Sequence, residues 1–344
     1  MYLFKLMSFN NKTILITGAT GSFGKTFVKY LTNNFKPKKI IIFSRDELKQ
    51  YNMKQEYFNH TNLRFFIGDI RDEARLELAT KNVDIIVHAA ALKQVDTAEY
   101  NPFEYIKTNI LGAENIINAS IKNEVNKVIA LSTDKAVDPV NLYGSTKLSS
   151  DKLFVAANNL VGKKKISFSV VRYGNVISSR GSVVPLFKKM INEKKKFLTI
   201  THKEMTRFFI TLEESVKFVV NSISNMVGGE IFIPKLYSCK IIDLANIMKL
   251  KNQKIKFIGI RPGEKIHEVL ISDSNLSEVI EFKDYYVVAP SIIFYKKKNY
   301  LINQNKEKGK LIKNNFKYSS DNNSRKISSL ELKKFIDKNV DTIR

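Results

Sequence analysis

Cysteine is nearly absent. Cys239 is the only one in 344 residues, which excludes an intramolecular disulfide framework and suits a reducing cytoplasm. Histidine is scarce as well: four histidines, scattered among one cysteine, give no spacing that would ligate a metal. No apolar run approaches the ~20 residues of a membrane span, and the opening Met1–Met7 is too short in apolar residues to read as a signal peptide. Acidic side chains are outnumbered, with 33 Asp and Glu against 57 Lys and Arg, a net charge of +24. That balance invites a nucleic-acid partner. The excess, however, is lysine spread among Asn and Ile and thickest toward the C-terminus. A nucleic-acid surface would interleave arginines with aromatics, whereas most of the 14 tyrosines and 23 phenylalanines sit in apolar runs that read as core. The expectation is no nucleic-acid partner, no membrane and no metal. At this length, with 44% hydrophobic and 26% charged residues, the chain can bury a sizeable core.

What is present is alternation. Thr13–Thr17 is β-branched and reads as a buried strand. Gly18-Ala-Thr-Gly-Ser-Phe-Gly24 follows at once, then helical Lys25–Leu31. In that context glycines permit a tight turn and close approach of backbone to a pyrophosphate, which a helix N-terminus attracts. The spacing is G-x-x-G-x-x-G rather than G-x-G-x-x-G, and a purely structural turn would use the same glycines. Gly18, Thr20, Gly21, Ser22, Phe23 and Gly24 are the candidates. A second strand, Lys39–Phe43, ends in Ser44-Arg45-Asp46, where an NAD site would place an acid on the ribose. A hydroxyl and a guanidinium suit a 2′-phosphate, so NADP is expected over NAD, with Asp46 pulling the other way.

Helical Glu47–Phe58 leads to a third strand, Leu63–Ile67. Asp69 and Ile70 follow it, where Asp69 either accepts from an adenine amino group or is a solvated turn residue. Val83–His88 reads as a fourth strand, and the small Ala89, Ala90 and Ala91 after it let a flat cofactor lie against backbone. A long helix over Pro102–Ala119 carries Asn109, which either fixes backbone near the site or packs a helix. Val125–Leu131 and Ile166–Arg172 are the fifth and sixth strands. Strand and helix alternate from 13 to 172, which predicts an α/β fold: a Rossmann-type doubly wound parallel sheet with right-handed crossovers.

The fifth strand breaks off into Thr133-Asp134-Lys135, a hydroxyl, a carboxyl and an amine at a strand's carboxyl end, where open α/β sheets bind ligands. Tyr143 and Lys147 follow, one helical turn apart on one face. An ammonium beside a phenol lowers its pKa, and a tyrosine titrating near ~10 when free would then serve as a base nearer neutrality. Y-x-x-x-K also occurs by chance; its weight comes from the strand before it. After residue 172 the period is lost. Phe187–Lys196 reads as a basic helix, Glu213–Ser224 as another, Gly229–Pro234 as a strand, Ile241–Leu250 as a helix and Lys254–Ile260 as a strand. Arg207 and Arg261 are candidates for an anionic ligand, or ordinary surface arginines. After about Pro290 the chain is Lys/Asn-rich until Ser328-Ser-Leu-Glu331, a capping box before a short helix. The expected organisation is an NADP-binding domain over 9–178 with a returning segment at about 207–235, a second region over 179–206 and 236–290, and a basic tail over 291–344 with a short C-terminal helix.

With these residues in place, the chain resembles the extended short-chain dehydrogenases/reductases that act on nucleotide sugars. More narrowly, it resembles the inverting UDP-N-acetylglucosamine 4,6-dehydratases that begin pseudaminic acid biosynthesis. The motifs are Ile16–Lys25, Ser44–Gln50, Ala130–Ala136, Asn141–Gly144 with Lys147, Arg172–Asn175, Ser179–Pro185, Met205–Phe209 and Gly259–Lys265. They run in order over residues 9 to about 290.

The resemblance implies NADP as the recycled cofactor, held by the glycine loop and by Ser44, Arg45, Asp46 and Lys49. It implies that Tyr143 removes the 4-hydroxyl proton, helped by Lys147 and Thr133, that Lys135 takes the C5 proton and that Asp134 protonates the leaving 6-hydroxyl. Lys93 and Asn175 are expected at the sugar, its phosphates and the cofactor. Arg180, Val183, Arg261 and Glu264 are expected around the phosphates and uridine. Retaining dehydratases typically carry Asp-Glu where this chain has Asp134-Lys135, which argues for inversion. Gln94 and Asp96 depart from the Lys-His-Val-Pro common in pseudaminic-type relatives. UDP-N-acetylglucosamine, the cytoplasm and a homo-oligomer are likewise implied. A nucleotide-sugar 4-epimerase would explain Tyr143 and Lys147 but leave Asp134 and Lys135 without a task; a non-enzymatic NADPH- or RNA-binding protein would use none of them.

Overall fold

Six short runs rich in β-branched and aromatic residues share the centre of one sheet. They are β1 (Thr13–Thr17), β2 (Lys39–Ser44), β3 (Leu63–Ile67), β4 (Ile85–His88), β5 (Lys127–Thr133) and β6 (Ser167–Tyr173). The computed structural model describes residues 9–177, 182–274, 277–296, 298–312 and 315–340. The six strands are parallel, in the order β3-β2-β1-β4-β5-β6, with Ile14 between Ile40 and Ile85 in register. Helices cover both faces, so the central strands are apolar throughout rather than alternating, as in β1, buried at every position. The strand order reverses between β1 and β4. That reversal opens a crevice beyond the carboxyl ends of the strands, the usual ligand site of such sheets.

The sheet continues past the sixth strand. Ile231–Pro234 joins parallel to β6 after helix Leu212–Asn225, and Tyr285–Val288, Val279–Glu281 and Lys310–Ile312 extend the edge antiparallel to ten strands. A second apolar cluster lies outside the sheet, where Val184, Phe187, Leu198, Phe209 and Leu244 meet.

Several expectations are corrected. The long helix over Pro102–Ala119 is instead helix Pro102–Tyr105, a π-helical stretch Ile106–Leu111 and helix Gly112–Lys122. The wider π turn falls on Thr108 and Asn109, a placement common near functional sites. The helix placed at Phe187–Lys196 begins earlier, at Val183, and ends at Asn192. Lys194 then takes a left-handed backbone with φ of 52°, and the next residues form strand Phe197–Ile200, paired parallel with Lys254–Phe257. Propensity did not reveal this strand, because its partner lies more than fifty residues on. The basic tail is also tied in. Lys310–Ile312 is a sheet strand, Tyr318–Ser319 pairs with Val269–Ile271, and Leu332 of the last helix (Ser329–Val340) is buried in the second cluster.

Candidate active site

One continuous cleft of about 1140 Å³ opens at the carboxyl ends of the strands. A single drug-sized ligand occupies roughly 300–1,000 Å³, so this volume exceeds what one such ligand needs. At its floor, Gly18 ends β1 with φ of +66°, and a Cβ there would stand 3.0 Å from the Ala90 backbone. Only glycine permits both. Thr17 tightens the same turn, its hydroxyl accepting from the amides of Ala89 and Ala90 at 3.1 and 3.2 Å and meeting His88 Nδ1 at 2.9 Å. Thr20, Gly21, Ser22, Phe23, Gly24, Ala89, Ala90, Ala91 and Lys93 line the cleft here.

Beyond the β2 end, Ser44, Arg45, Asp46, Lys49, Asp69 and Ile70 line the adjoining wall. Asp46 is a helix N-cap, accepting from the amide of Lys49 and pairing with its ammonium. Its presence after β2 therefore has a cause other than a ribose. The Ser44 hydroxyl accepts from Gln50 at 3.0 Å. Asp69 is held by Arg71 at 2.8 Å and approached by Arg45 at 3.6 Å. Burial would push its carboxyl up, but Arg71 and Arg45 outweigh that and hold it below the usual range. Its Oδ2 is thus engaged by guanidiniums, and its Oδ1 accepts from the Arg71 backbone N–H at 3.0 Å.

The catalytic candidates converge at the β5 end. Asn141 caps helix Leu142–Ala157, accepting from Gly144 N at 2.7 Å and donating to Gly263 O at 2.8 Å. Gly144 is what lets that helix approach Lys135, because a Cβ on it would stand 2.2 Å from the Lys135 carbonyl oxygen. Tyr143 is thereby buried among Ala98 and Tyr105. Asn109 braces the opposite wall, bonding both backbone groups of Leu92 at 2.9 Å and Thr146 Oγ1 at 3.0 Å.

The electrostatics correct one expectation. The cation that acts on the phenol is Lys135, and Lys147 is engaged elsewhere. Its ammonium donates to Leu131 O at 2.8 Å, and burial lowers its pKa against the pull of Asp151. Burial pushes Tyr143 up to about 12, and the groups that pull it back down are Lys135 and the Thr133 hydroxyl. One helical turn aligns the two Cα atoms, but the lysine side chain is long enough to reach the strand's orphan carbonyl instead.

Lys135 Nζ lies 3.1 Å from Asp134 Oδ1 and 3.1 Å from Glu268 Oε1. Thr133 donates to the same Asp134 oxygen at 2.9 Å. Burial disfavours the Lys135 charge, but Asp134 and Glu268 outweigh it and raise its pKa, so the amine rests protonated. Asp134 goes up as well, chiefly by burial and then by the charge of Glu268. Glu268 moves the other way: burial opposes its charge, yet Lys135 and Arg207 hold it below the usual range.

Glu268 escaped the sequence reading, and its only signal was a carboxylate opening the apolar run Val269–Ile271. Arg207 is corrected in turn. Its terminal nitrogens donate to the carbonyls of Thr206, Ile266 and Lys265, and its Nε lies 3.6 Å from Glu268. With those donors engaged it has no fork free for a phosphate. Deeper still, Asp151 joins Ser132 at 2.8 Å and Arg172 at 3.0 Å, a buried brace under the β5 end that sequence reasoning also missed.

Asn175, Val183, Arg261 and Glu264 line the outer part of the cleft. Arg261 is exposed, and Glu264 accepts from its amide at 3.2 Å. Asn175 Oδ1 is buried without a hydrogen-bond partner, a polar atom that calls for a ligand donor. Arg180 lies outside the described residues. Among the described residues no helix is long and apolar enough to cross a membrane, and no cluster of three His, Cys, Asp or Glu could hold a metal.

Residues 14–290 match the family model described as polysaccharide biosynthesis protein. The chain is 57% identical over 329 residues to a UDP-N-acetylglucosamine 4,6-dehydratase (inverting) of Campylobacter jejuni serotype O:2, spanning 95% of this chain and 98% of that one. It is 45% identical over 285 residues to a UDP-glucose 4-epimerase of Rickettsia canadensis, spanning 81% and 83%. Among solved structures, Pen from Bacillus thuringiensis superposes with a TM-score of 0.86 at 36% identity, over 96% of this chain and 99% of that one. DesIV, a dTDP-glucose 4,6-dehydratase of Streptomyces venezuelae with NAD and TYD bound, shares the fold with a TM-score of 0.66 at 19% identity, over 74% and 86%.

Proposed function

From the premise that this chain belongs to the polysaccharide biosynthesis protein family of extended short-chain dehydrogenases/reductases, we propose that it is a UDP-N-acetylglucosamine 4,6-dehydratase that inverts C5. The observation that carries this reading is the Asp134–Lys135 pair, 3.1 Å apart and beside Tyr143, with Asp134 buried and Lys135 half-buried at the wall of the cleft. Loss of water from a sugar with no net redox change needs an acid and a base beyond the group that handles the 4-hydroxyl. Asp134 and Lys135 supply both.

A nicotinamide cofactor fits the Gly18 cradle and the Ala89–Ala91 wall, and when bound it supplies a hydride acceptor and donor. Arg45 and Lys49 favour the 2′-phosphate of NADP. Tyr143 takes the 4-hydroxyl proton. Lys135 is the cation that favours its phenolate, and Lys147 instead fixes the Leu131 carbonyl. The resulting 4-ketone acidifies the C5 proton. Lys135 removes it after passing its own proton to Asp134 along their hydrogen bond, and Asp134 gives that proton to the departing 6-hydroxyl. Asn175 and Lys93 are read as sugar- and phosphate-facing, Val183, Arg261 and Glu264 as the uridine end, with residues 236–290 contributing most of that region. The product is a 4-keto-6-deoxy sugar entering pseudaminic acid or related amino-sugar synthesis. The single cysteine supports the cytoplasm as its compartment, and a homo-oligomer rests on the resemblance alone.

A nucleotide-sugar 4-epimerase is the second reading, favoured by the Rickettsia relative. Incubation with UDP-N-acetylglucosamine in deuterated water, followed by NMR and mass spectrometry, separates the two. Loss of one water with deuterium at C5 and L-configuration is the expected result. The same product in D-configuration removes the inversion, and an unchanged mass with a 4-epimer removes the dehydratase.

A further inference from the structure

We propose that Glu268 is the positioning residue that makes Asp134 the acid of the site: the two buried carboxyls share the Lys135 ammonium unequally, Glu268 stays ionised, and Asp134 is the carboxyl that takes the Lys135 proton. This rests on the dehydratase reading for its catalytic meaning but on geometry for its substance. Glu268 and Asp134 are 2% and 1% exposed, and each accepts from Lys135 Nζ at 3.1 Å. Their accepting oxygens are therefore within about 6 Å of one another, close enough that two charges there repel strongly.

The cations are not divided evenly. Glu268 has a second one, Arg207 Nε at 3.6 Å, and Lys265 also acts on it. Asp134 has its share of Lys135, the Thr133 hydroxyl and the pull of Lys265, which acts on both carboxyls, but among the described residues it has no second ion pair. Other charged or titratable groups around Lys135 are Tyr143 and Lys93, with Asp138 beside Lys265. The Glu268 backbone is clamped as well, its N–H donating to Ser320 Oγ at 2.9 Å and its carbonyl accepting from Ser320 N at 2.8 Å. The tail thus holds the carboxylate in place from 52 residues away. Asp134 Oδ2 is buried with no partner. Glu268 Oε2 is buried without a partner as well, so a second charge in the pair is costly on either carboxyl, and the Arg207 guanidinium decides which one stays ionised.

The proton count closes on these residues. Lys135 first passes a proton to Asp134; in the elimination the C5–H bond then breaks and its proton goes to the neutral Lys135 amine. The C5=C6 bond forms, the C6–O bond breaks, and the oxygen leaves as water with the Asp134 proton. Lys135 is then charged and Asp134 ionised, which is the resting pair at 3.1 Å again. Glu268 gives and takes no proton.

The test is carboxyl titration of the full-length free protein by ¹³C NMR, with aspartate or glutamate labelled and Asp134 assigned through Asp134→Asn. In the wild type Asp134 should titrate above Glu268. In Glu268→Gln the Asp134 midpoint should fall by about 1–2 pH units, the scale of one like charge at that separation, and Glu268→Asp should restore it. With UDP-N-acetylglucosamine, the alkaline limb of kcat should move down by the same interval in Glu268→Gln. An Asp134 midpoint unmoved by Glu268→Gln overturns the proposal. Should that variant not fold, wild-type Glu268 titrating above Asp134 overturns it equally. Absence of wild-type turnover would instead defeat the dehydratase reading, leaving the titration to decide this one.

Discussion

Replacing Gly144 by alanine isolates the packing that brings Tyr143 to Lys135. The added Cβ would stand 2.2 Å from the Lys135 carbonyl oxygen and 3.1 Å from both the Lys135 carbonyl carbon and Pro139 Cβ. The 2.2 Å contact is with backbone, so no flexible side chain can give way. Relieving it to 3.0 Å parts helix Leu142–Ala157 from the Asp134–Ala136 turn by roughly 0.8 Å. Two effects on stability oppose one another. Alanine favours the helix by about 1 kcal/mol, and overpacking costs about 1–3 kcal/mol, so the net loss should be about 0–2 kcal/mol and the protein should fold. Catalysis has no such compensation, since a misplacement approaching 1 Å in a reacting group costs on the order of 10²-fold. The assay is kcat on UDP-N-acetylglucosamine alongside cofactor affinity and thermal melting. A fall of about 10²-fold with cofactor affinity unchanged is expected, because the Gly18 loop is elsewhere in the cleft. A kcat within threefold (about 0.6 kcal/mol) of wild type would refute the claim that this contact sets the Tyr143–Lys135 geometry.

Three further outcomes follow from the same structure. Arg45→Ala should weaken NADP affinity by about 10–100-fold, the worth of a charge-assisted contact, and leave NAD affinity unchanged; fluorescence titration with the two reduced cofactors checks it, and equal losses would remove Arg45 from the phosphate. Asn109→Ala deletes three hydrogen bonds, one buried to Thr146 and two part-buried to Leu92, so denaturant unfolding should show a loss of about 2–4 kcal/mol. His88 is buried against Thr17, and burial, with Lys147 adding to it, lowers its pKa from 6.5 to about 3. Between those values the unfolded chain binds the extra proton, so stability should fall as pH drops from about 6.5 toward about 3, and His88→Gln should flatten that acid slope in melting experiments.

The parallel sheet was legible because its signal is local. Thr13–Thr17, Lys39–Phe43 and Leu63–Ile67 are short apolar runs that no helix period fits, and glycines follow the first between strand and helix, where a phosphate turn belongs. Residue chemistry also carried the site as far as Thr133-Asp134-Lys135 and Tyr143, since those four lie within eleven residues of one another. What the sequence could not determine was which side chain each group would face. One helical turn placed Lys147 near Tyr143, yet tertiary structure sent its ammonium to Leu131 and left Lys135 as the cation acting on the phenol. Arg207 was legible as a guanidinium but not as one committed to three carbonyls. Asp46 was legible as an acid, and only the helix it caps explains it. Glu268 was hidden because its meaning depends on a lysine 133 residues earlier and a serine 52 residues later. Periodicity and turn chemistry are properties of neighbours along the chain. The partition of charge among buried groups depends on distances across it, and those exist only once the sheet, the helix and the returning tail have closed around the cleft.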